Sequence, residues 1–296
     1  LKYEGSFSFY VNEYGLLEFS VCFATKWKDV IVMQLPDERK VHSLIRLNYI
    51  CPMNQLQVKY QHLGRIAYKE AWDYQESLMQ KNLDVKKTNR DNEIAANGIE
   101  PIPTENHFLL CAHNPVFTLG KSGAIENLLV NNQYLIDQGI EFFKTNRGGD
   151  ITFHGPEQIV GYPILDLEQI KPDIVLYMRN LEEIILRTLA EYGIIGSRSE
   201  GETGVWLDVD KPHKARKICA MGVRTSRWIT MHGFALNVNT DLTYFNMIVP
   251  CGIQHKQVTS MEKELGRKID IAEVENKIKH HFQAVFQAQL QSIDAQ

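Results

Sequence analysis

The stretch Arg147-Gly148-Gly149-Asp150-Ile151-Thr152-Phe153-His154-Gly155-Pro156 restricts the fold more than any other part of the chain. Gly148-Gly149 leaves the backbone free to take positive φ or to approach a ligand closely. Ile151 and Phe153 alternate with Thr152 as a short strand does, with His154 at its end. Gly155-Pro156 turns the chain, and Gln158 to Leu165 resumes an apolar strand. A tight hairpin satisfies this pattern, and so does a substrate-binding turn. Polar groups at strand ends beside flexible glycines favour the second.

The rest of the chain supplies mixed elements. Phe7–Val11, Leu16–Val21 and Val30–Met33 have strand composition, and Met53 opens a second, more regular region. Residues 1–52 are therefore expected to be an extension or a start-site artefact, and residues 53–296 the functional domain. In that domain strands are expected at 56–63, 107–112, 116–120, 204–209, 217–223 and 228–238. Helices are expected over 67–81, 174–192 and 261–265, and a last amphipathic one carries Ile271, Val274, Ile278, Phe282 and Val285 on one face. The polar, proline-containing residues 84–105 read as a loop. Strands and helices mixed without strict alternation give an α/β (α+β) class, a single domain with a mixed β-sheet flanked by helices.

A net charge of −4 argues against a general nucleic-acid binder. Five cysteines without a C-x-x-C pair read as reduced thiols, and no run is apolar enough to span a bilayer. Cytoplasm is the expected compartment. Gly120-Lys121-Ser122 lacks the earlier glycine of a phosphate loop, since Pro115 stands there. Zinc and serine-hydrolase readings lack their starting motifs.

Two further stretches carry chemistry. Lys211, Lys214, Arg216, Lys217, Arg224 and Arg227 concentrate positive charge, as a solvated face or as a dock for an acidic partner. Within it Ala220, Met221 and Gly222 are small or flexible enough to line an acyl tunnel. His232-Gly233 repeats the strand-end pattern of His154-Gly155, so both histidines are expected to flank one cleft. Cys251, between Pro250 and Gly252, sits on a constrained loop and is favoured as nucleophile over Cys111 and Cys219; Cys219 is expected to share a strand face with Lys217.

At these residues the chain resembles the octanoyltransferase family of lipoate biosynthesis. The resemblance runs from about Leu63 to the last helix, through His113-Asn114-Pro115-Val116-Phe117-Thr118-Leu119-Gly120, the Arg147–Pro156 stretch, Arg216–Gly222, His232–Val238 and Pro250-Cys251-Gly252. Glu157 stands where the family usually has glycine. The resemblance implies a fold similar to the catalytic domain of biotin and lipoate protein ligases. It implies that Cys251 carries the octanoyl group as a thioester and that Lys217 lowers the thiol pKa and deprotonates the incoming amine. It implies substrate binding by Arg147, Gly148, Gly149, Asp150, Ile151, Thr152, Phe153, His154, Ala220, Met221, Gly222, Gly233, Phe234 and Ala235. The implied donor is octanoyl-acyl carrier protein. The implied acceptors are lipoyl domains of 2-oxoacid dehydrogenase complexes and the glycine cleavage H protein. No cofactor, ATP or metal is implied, and neither nucleic acid nor membrane is an expected partner. An ATP-dependent lipoate–protein ligase and a non-catalytic carrier-protein-binding module are the alternatives.

Overall fold

The computed structural model describes residues 7–11, 16–23, 26–34, 55–95, 98–211, 213–249 and 257–293. The chain divides into two compact units, Leu1–Met53 and Asn54–Gln296. In the first, β1 (Phe7–Val11), β2 (Leu16–Phe23) and β3 (Lys26–Gln34) form an antiparallel meander.

The second unit contains β4 (Leu56–Ile66), α1 (Tyr68–Ile94), β5 (Asn106–His113), β6 (Val116–Leu119), α2 (Asn132–Asp137), β7 (Glu141–Lys144), β8 (Ile151–His154) and β9 (Gln158–Ile164). It continues with α3 (Ile174–Ala190), β10 (Val205–Leu207), β11 (Arg216–Ser226), β12 (Ile229–Asn237), β13 (Gln257–Val258), α4 (Met261–Leu265), α5 (Ile271–Phe286) and β14 (Ala288–Ser292). The large sheet runs β10-β11-β12-β9-β5-β4-β14, with β13 also on β11. It is antiparallel from β10 to β5, and parallel where β4 meets β5 and β14. A smaller sheet has the order β7-β6-β8. The mixed α/β class is the one expected.

Strand alternation builds the layers. Phe108 and Leu110 of β5 pack with Leu181, Ile185, Ile278 and Phe282 of α3 and α5 on one face. Leu109 and Cys111 pack with Ala71, Leu78 and Met79 of α1 on the other. Successive strand residues point to opposite faces, so each of these runs is apolar throughout. Phe108 stacks on Phe282 at 4.2 Å between centroids. The third cluster joins Phe117, Ile151 and Phe153 of the small sheet to Leu135 of α2.

Residues 84–105 differ from the expected loop, since α1 continues to Ile94. The extension has no apolar stripe to reveal it. Side-chain bonds to the returning chain hold it instead: Asn82 pairs with the backbone of Glu105, and Asn89 with that of Ile102. Lys86 reaches Asp166, Glu168 and the Arg227 carbonyl. β8 and β9 also form no hairpin. They belong to different sheets, so the His154–Gln158 turn carries the chain from one sheet to the other.

Glu157 in that turn has φ +58°. A side chain in the left-handed region costs roughly 1–2 kcal/mol, which glycine avoids at some loss of unfolded-state order. Glu157→Gly is expected to stabilise the protein by about 0.5–1 kcal/mol in urea melts. A loss of stability would show that the Lys268 contact to Glu157, at 3.4 Å, outweighs the strain.

Candidate functional site

The Arg147–Asp150 loop is clamped from two sides. Gly120, Lys121 and Ser122 donate their backbone N–H groups to the carbonyls of Asp150, Arg147 and Gly149. Those amides are committed to the protein's own backbone and form no phosphate cradle. From the other side, Gly148 N–H donates to Val223 O at 2.9 Å. The Asp150 carboxylate accepts from Asn127 Nδ2 and its own neighbour's Ile151 N–H, both at 2.6 Å. Arg147 is buried, and its Nη2 donates to Thr118 O at 2.6 Å and Thr118 Oγ1 at 3.0 Å.

Beside this loop lies a cleft of about 820 Å³, including its open mouth. Arg147, Thr152 and His154 line it from the small sheet; Val160, Met221, Phe234 and Ala235 give it an apolar wall. Glycine makes the close approach possible: a Cβ on Gly222 would stand 2.6 Å from Gly148 O and 3.4 Å from Arg147 Cδ. Lys217 also lines the cleft, with its Nζ 4.5 Å from the centroid of the Trp206 ring, a cation–π arrangement.

A bulge decides which strand residues face the cleft. Val205 of β10 pairs with Cys219 of β11, but Trp206 pairs with Lys217, so Ile218 is the extra residue. A bulge reverses the alternation beyond it. Lys217, Ala220 and Gly222 line the cleft, while Ile218 and Cys219 enter the core. Cys219 therefore does not share the face of Lys217. Burial pushes the thiols of Cys219 and Cys111 well above the ordinary range, and both are inert core groups.

Both expected histidines line the cleft, and both are neutral. Burial, then the Arg147 and Arg224 charges, lowers His232 to about 3. Burial, reinforced by the His113 and Arg147 charges, holds His154 well below its ordinary value. His113, behind them, is lowered by burial to about 4 and meets the Tyr162 hydroxyl at 2.7 Å. Tyr68 stacks on His154 at 5.9 Å with an interplanar angle of 8°. His232 Nε2 contacts Asn146 Oδ1 at 2.7 Å, and the Asn146 amide nitrogen donates to the Glu76 carboxylate. Because that carboxylate can only accept, Asn146 Oδ1 must face the histidine, and His232 Nε2 carries the proton.

Pro250, Cys251 and Gly252 lie outside the described residues. The residues on either side of 250–256 are tied to the cleft. Val249 N–H donates to Asn127 O at 2.8 Å, and Asn127 holds Asp150. Gln257-Val258 pairs with Arg216-Lys217.

Residues 67–283 match the family described as the lipoyl protein ligase A/B catalytic domain. An octanoyltransferase of Christiangramia forsetii is 57% identical over 235 residues, covering 79% of this chain and 97% of the relative. One from Flavobacterium johnsoniae is 56% identical over 234 residues, covering 79% and 98%.

The chain belongs to the octanoyltransferase family.

That family is one of acyltransferases. The fold extends further: a bipartite lipoate protein ligase of Thermoplasma acidophilum superposes with a TM-score of 0.59 at 14% identity, covering 82% of this chain and 88% of that one. A lipoate-protein ligase A bound with ATP gives 0.56 at 14% identity, covering 82% and 90%. At such identity the likeness concerns the fold alone, and it is the lipoate-ligase fold expected.

In this octanoyltransferase-family chain the cleft gathers Arg147, Gly149, Asp150, Ile151, Thr152, His154, Lys217, Ala220, Met221, Gly222, Gly233, Phe234 and Ala235. Two other expected binding residues are placed differently. The Phe153 ring points into the third core cluster and stacks on Tyr244 at 4.3 Å, because its strand neighbours Thr152 and His154 take the cleft face. Gly148 acts through its backbone, on Val223 and Arg147. Tyr68, Gln158, Thr203 and Asn237 line the cleft without having been singled out. Gln158 and Asn237 carried a usable signal, being polar residues at the ends of apolar strands. The basic stretch is partly spent within the chain: Arg216 pairs with Asp208 and Glu264, Lys211 with Asp208, and Arg224 with Glu76.

Gly222→Ala is expected to displace the Gly148 carbonyl and the Arg147 side chain. Displacements approaching 1 Å cost up to about 100-fold in rate, so kcat/KM for acyl transfer should fall roughly 10- to 100-fold. Steady-state kinetics at unchanged folded fraction check this, and wild-type kinetics would remove the loop from the substrate site.

Proposed function

We propose that the protein transfers an octanoyl group from octanoyl-acyl carrier protein to a lysine of a lipoyl domain, through a thioester on Cys251. The observation that carries this reading is the anchoring of the Cys251 segment. Its preceding residue is tied through Asn127 to Asp150, and its following residues pair with Lys217. Asp150 and Lys217, to which the described flanks of that segment are tied, both line an apolar cleft suited to an acyl chain. The identity to octanoyltransferases over nearly their whole length points the same way.

In this reading Cys251 and Lys217 stand as a thiolate–ammonium pair, the ammonium holding the thiol's proton, and the thiolate attacks the octanoyl carbonyl carbon. The tetrahedral intermediate collapses with expulsion of the carrier thiolate, which takes up that proton. In the second half the acceptor lysine's amine attacks the enzyme thioester, gives a proton to Lys217, and Cys251 leaves as the thiolate. The product is an amide. A thioester is already activated, so the scheme consumes no ATP. Arg147, the glycines around it and Ala220–Gly222 with Gly233–Ala235 would hold the acyl donor. The acceptors would be lipoyl domains of 2-oxoacid dehydrogenase complexes and the glycine cleavage H protein, and the catalytic unit residues 53–296. No helix among the described residues is long and apolar enough to cross a membrane, and the reaction is assigned to the cytoplasm.

Intact-protein mass spectrometry after mixing with octanoyl-acyl carrier protein and no ATP tests the reading. A hydroxylamine-labile octanoyl adduct mapped to Cys251 is expected. No adduct, with lipoyl-domain modification only when ATP and free octanoate are supplied, would move the protein to the ligases.

A further inference from the structure

Beneath the cleft a single file of buried polar groups connects the Arg147 loop to the segment that follows Cys251. Arg147 Nη2 donates to Thr118 Oγ1 at 3.0 Å, and Thr118 Oγ1 lies 3.3 Å from His154 Nε2. His154 Nδ1 lies 3.0 Å from Gln158 Oε1. Gln158 Nε2 donates to Asn237 Oδ1 at 2.8 Å, and Asn237 Nδ2 to Thr259 O at 3.0 Å. Thr259 N–H in turn donates to Lys217 O at 2.9 Å. Thr118, Gln158, Asn237 and Thr259 are all at most 3% exposed.

The direction of every link follows from its ends. Gln158 Nε2 also faces Phe153 O at 3.1 Å, and a carbonyl can only accept, so the Gln158 amide has one permitted orientation. Thr259 O fixes Asn237 by the same rule. Gln158 must then present its oxygen to His154, which places the imidazole proton on Nδ1. His154 Nε2 is left as an acceptor for the Thr118 hydroxyl, whose oxygen is free to accept from Arg147. Each donor meets one acceptor, from a guanidinium at one end to a main-chain carbonyl at the other. Reversing any amide would set two acceptors or two donors face to face in a buried site, at a cost of about 1–3 kcal/mol for each unmet group.

We infer that Gln158 and Asn237 are positioning residues, a two-amide relay that locks His154 in its Nδ1–H tautomer and holds the Arg147 loop in register with the Lys217–Thr259 junction. His154 is thereby excluded as a proton acceptor in the reaction, because its unprotonated nitrogen is already engaged. The kinetic consequence rests on the proposed thioester reaction: loosening the relay separates the acyl-binding loop from Lys217, which carries protons in that reaction.

Long-range 1H–15N spectra of the full-length chain labelled with 15N-histidine test the relay, with His154 assigned through His154→Asn. Protonated Nδ1 and bare Nε2 are expected in the wild type, and mixed tautomers in Gln158→Met; a wild-type Nε2–H tautomer would overturn the inference. Asn237→Asp keeps the oxygen that faces Gln158 but replaces the donor to Thr259 O with a second, charged acceptor in a buried site. It is expected to slow acyl-enzyme formation 10- to 100-fold while the donor KM stays within twofold. A lower melting temperature with wild-type acylation rate would reduce the relay to packing. Failure of the thioester reaction is read separately, as absence of acyl-enzyme in the wild type, and the tautomer measurement then decides the relay alone.

Discussion

Cys251→Ser is expected to lose at least about 10³-fold in octanoyl transfer, since a nucleophile removed from a unit that acts together takes most of the rate enhancement with it. Lys217 should then separate the two halves of the reaction. A thiol with no cation beside it returns to a pKa near 8.5 and is only a few per cent ionised at pH 7. Lys217→Met is expected to slow acylation about thirtyfold at pH 7 and to recover as pH rises toward 9, where the thiol ionises unaided. Lys217→Arg keeps the charge but cannot act as a base, because arginine stays protonated. It should form acyl-enzyme and fail to pass the octanoyl group to an amine. Single-turnover acylation and transfer, measured across pH for the three variants, check this. A pH profile unchanged in Lys217→Met would remove Lys217 from the activation of the thiol.

Acid is expected to destabilise the protein well before its carboxylates protonate. His113 and His232 are held at about 4 and about 3, and His154 well below its ordinary value, burial being the first cause in each case. Unfolding restores each to about 6.5. Between those limits the unfolded chain binds up to three more protons than the folded one, so stability rises with pH there. Stabilisation is complete above about pH 7 and declines as pH falls below 6.5, at roughly 1.4 kcal/mol per pH unit for each histidine. From pH 7 to pH 5 the three together remove about 6 kcal/mol, a large part of the 5–15 kcal/mol typical of a folded protein. Urea titrations at the two pH values measure the loss. His113→Phe should shallow the slope by about one proton; a slope unchanged in that variant, or stability flat from pH 7 to 5, would contradict the neutral cluster.

Local pattern carried much of the architecture. Continuous apolar runs in β5, β9 and β12 and the spacing in α3 and α5 located the core strands and helices, because those strands bury both faces and those helices one. The Ser260 cap opens α4, its side chain accepting from Lys263 N–H. Glycine-rich turns marked the cleft, since only glycine allows the Arg147 loop to lie against β11.

Long-range contacts decided the remainder. The last thirteen residues of α1 are polar apart from Leu83, Val85 and Ile94, and what helps keep them helical is Asn82, Lys86 and Asn89 reaching residues brought near only by folding. The bulge opposite Trp206, which turns Cys219 into the core and leaves Lys217 at the cleft, depends on pairing with another strand and has no mark in the local sequence. The placement of Phe153 follows from a neighbouring sheet, and the charge state of His113, His154 and His232 from burial by α1 and both sheets. The sequence by itself determined which residues could do chemistry and where the chain turns, because those depend on side-chain type and local backbone freedom. Only the tertiary structure decided which of them meet, which are sealed away, and which nitrogen of His154 holds the proton, because desolvation and hydrogen-bond partners come from residues far apart in the chain.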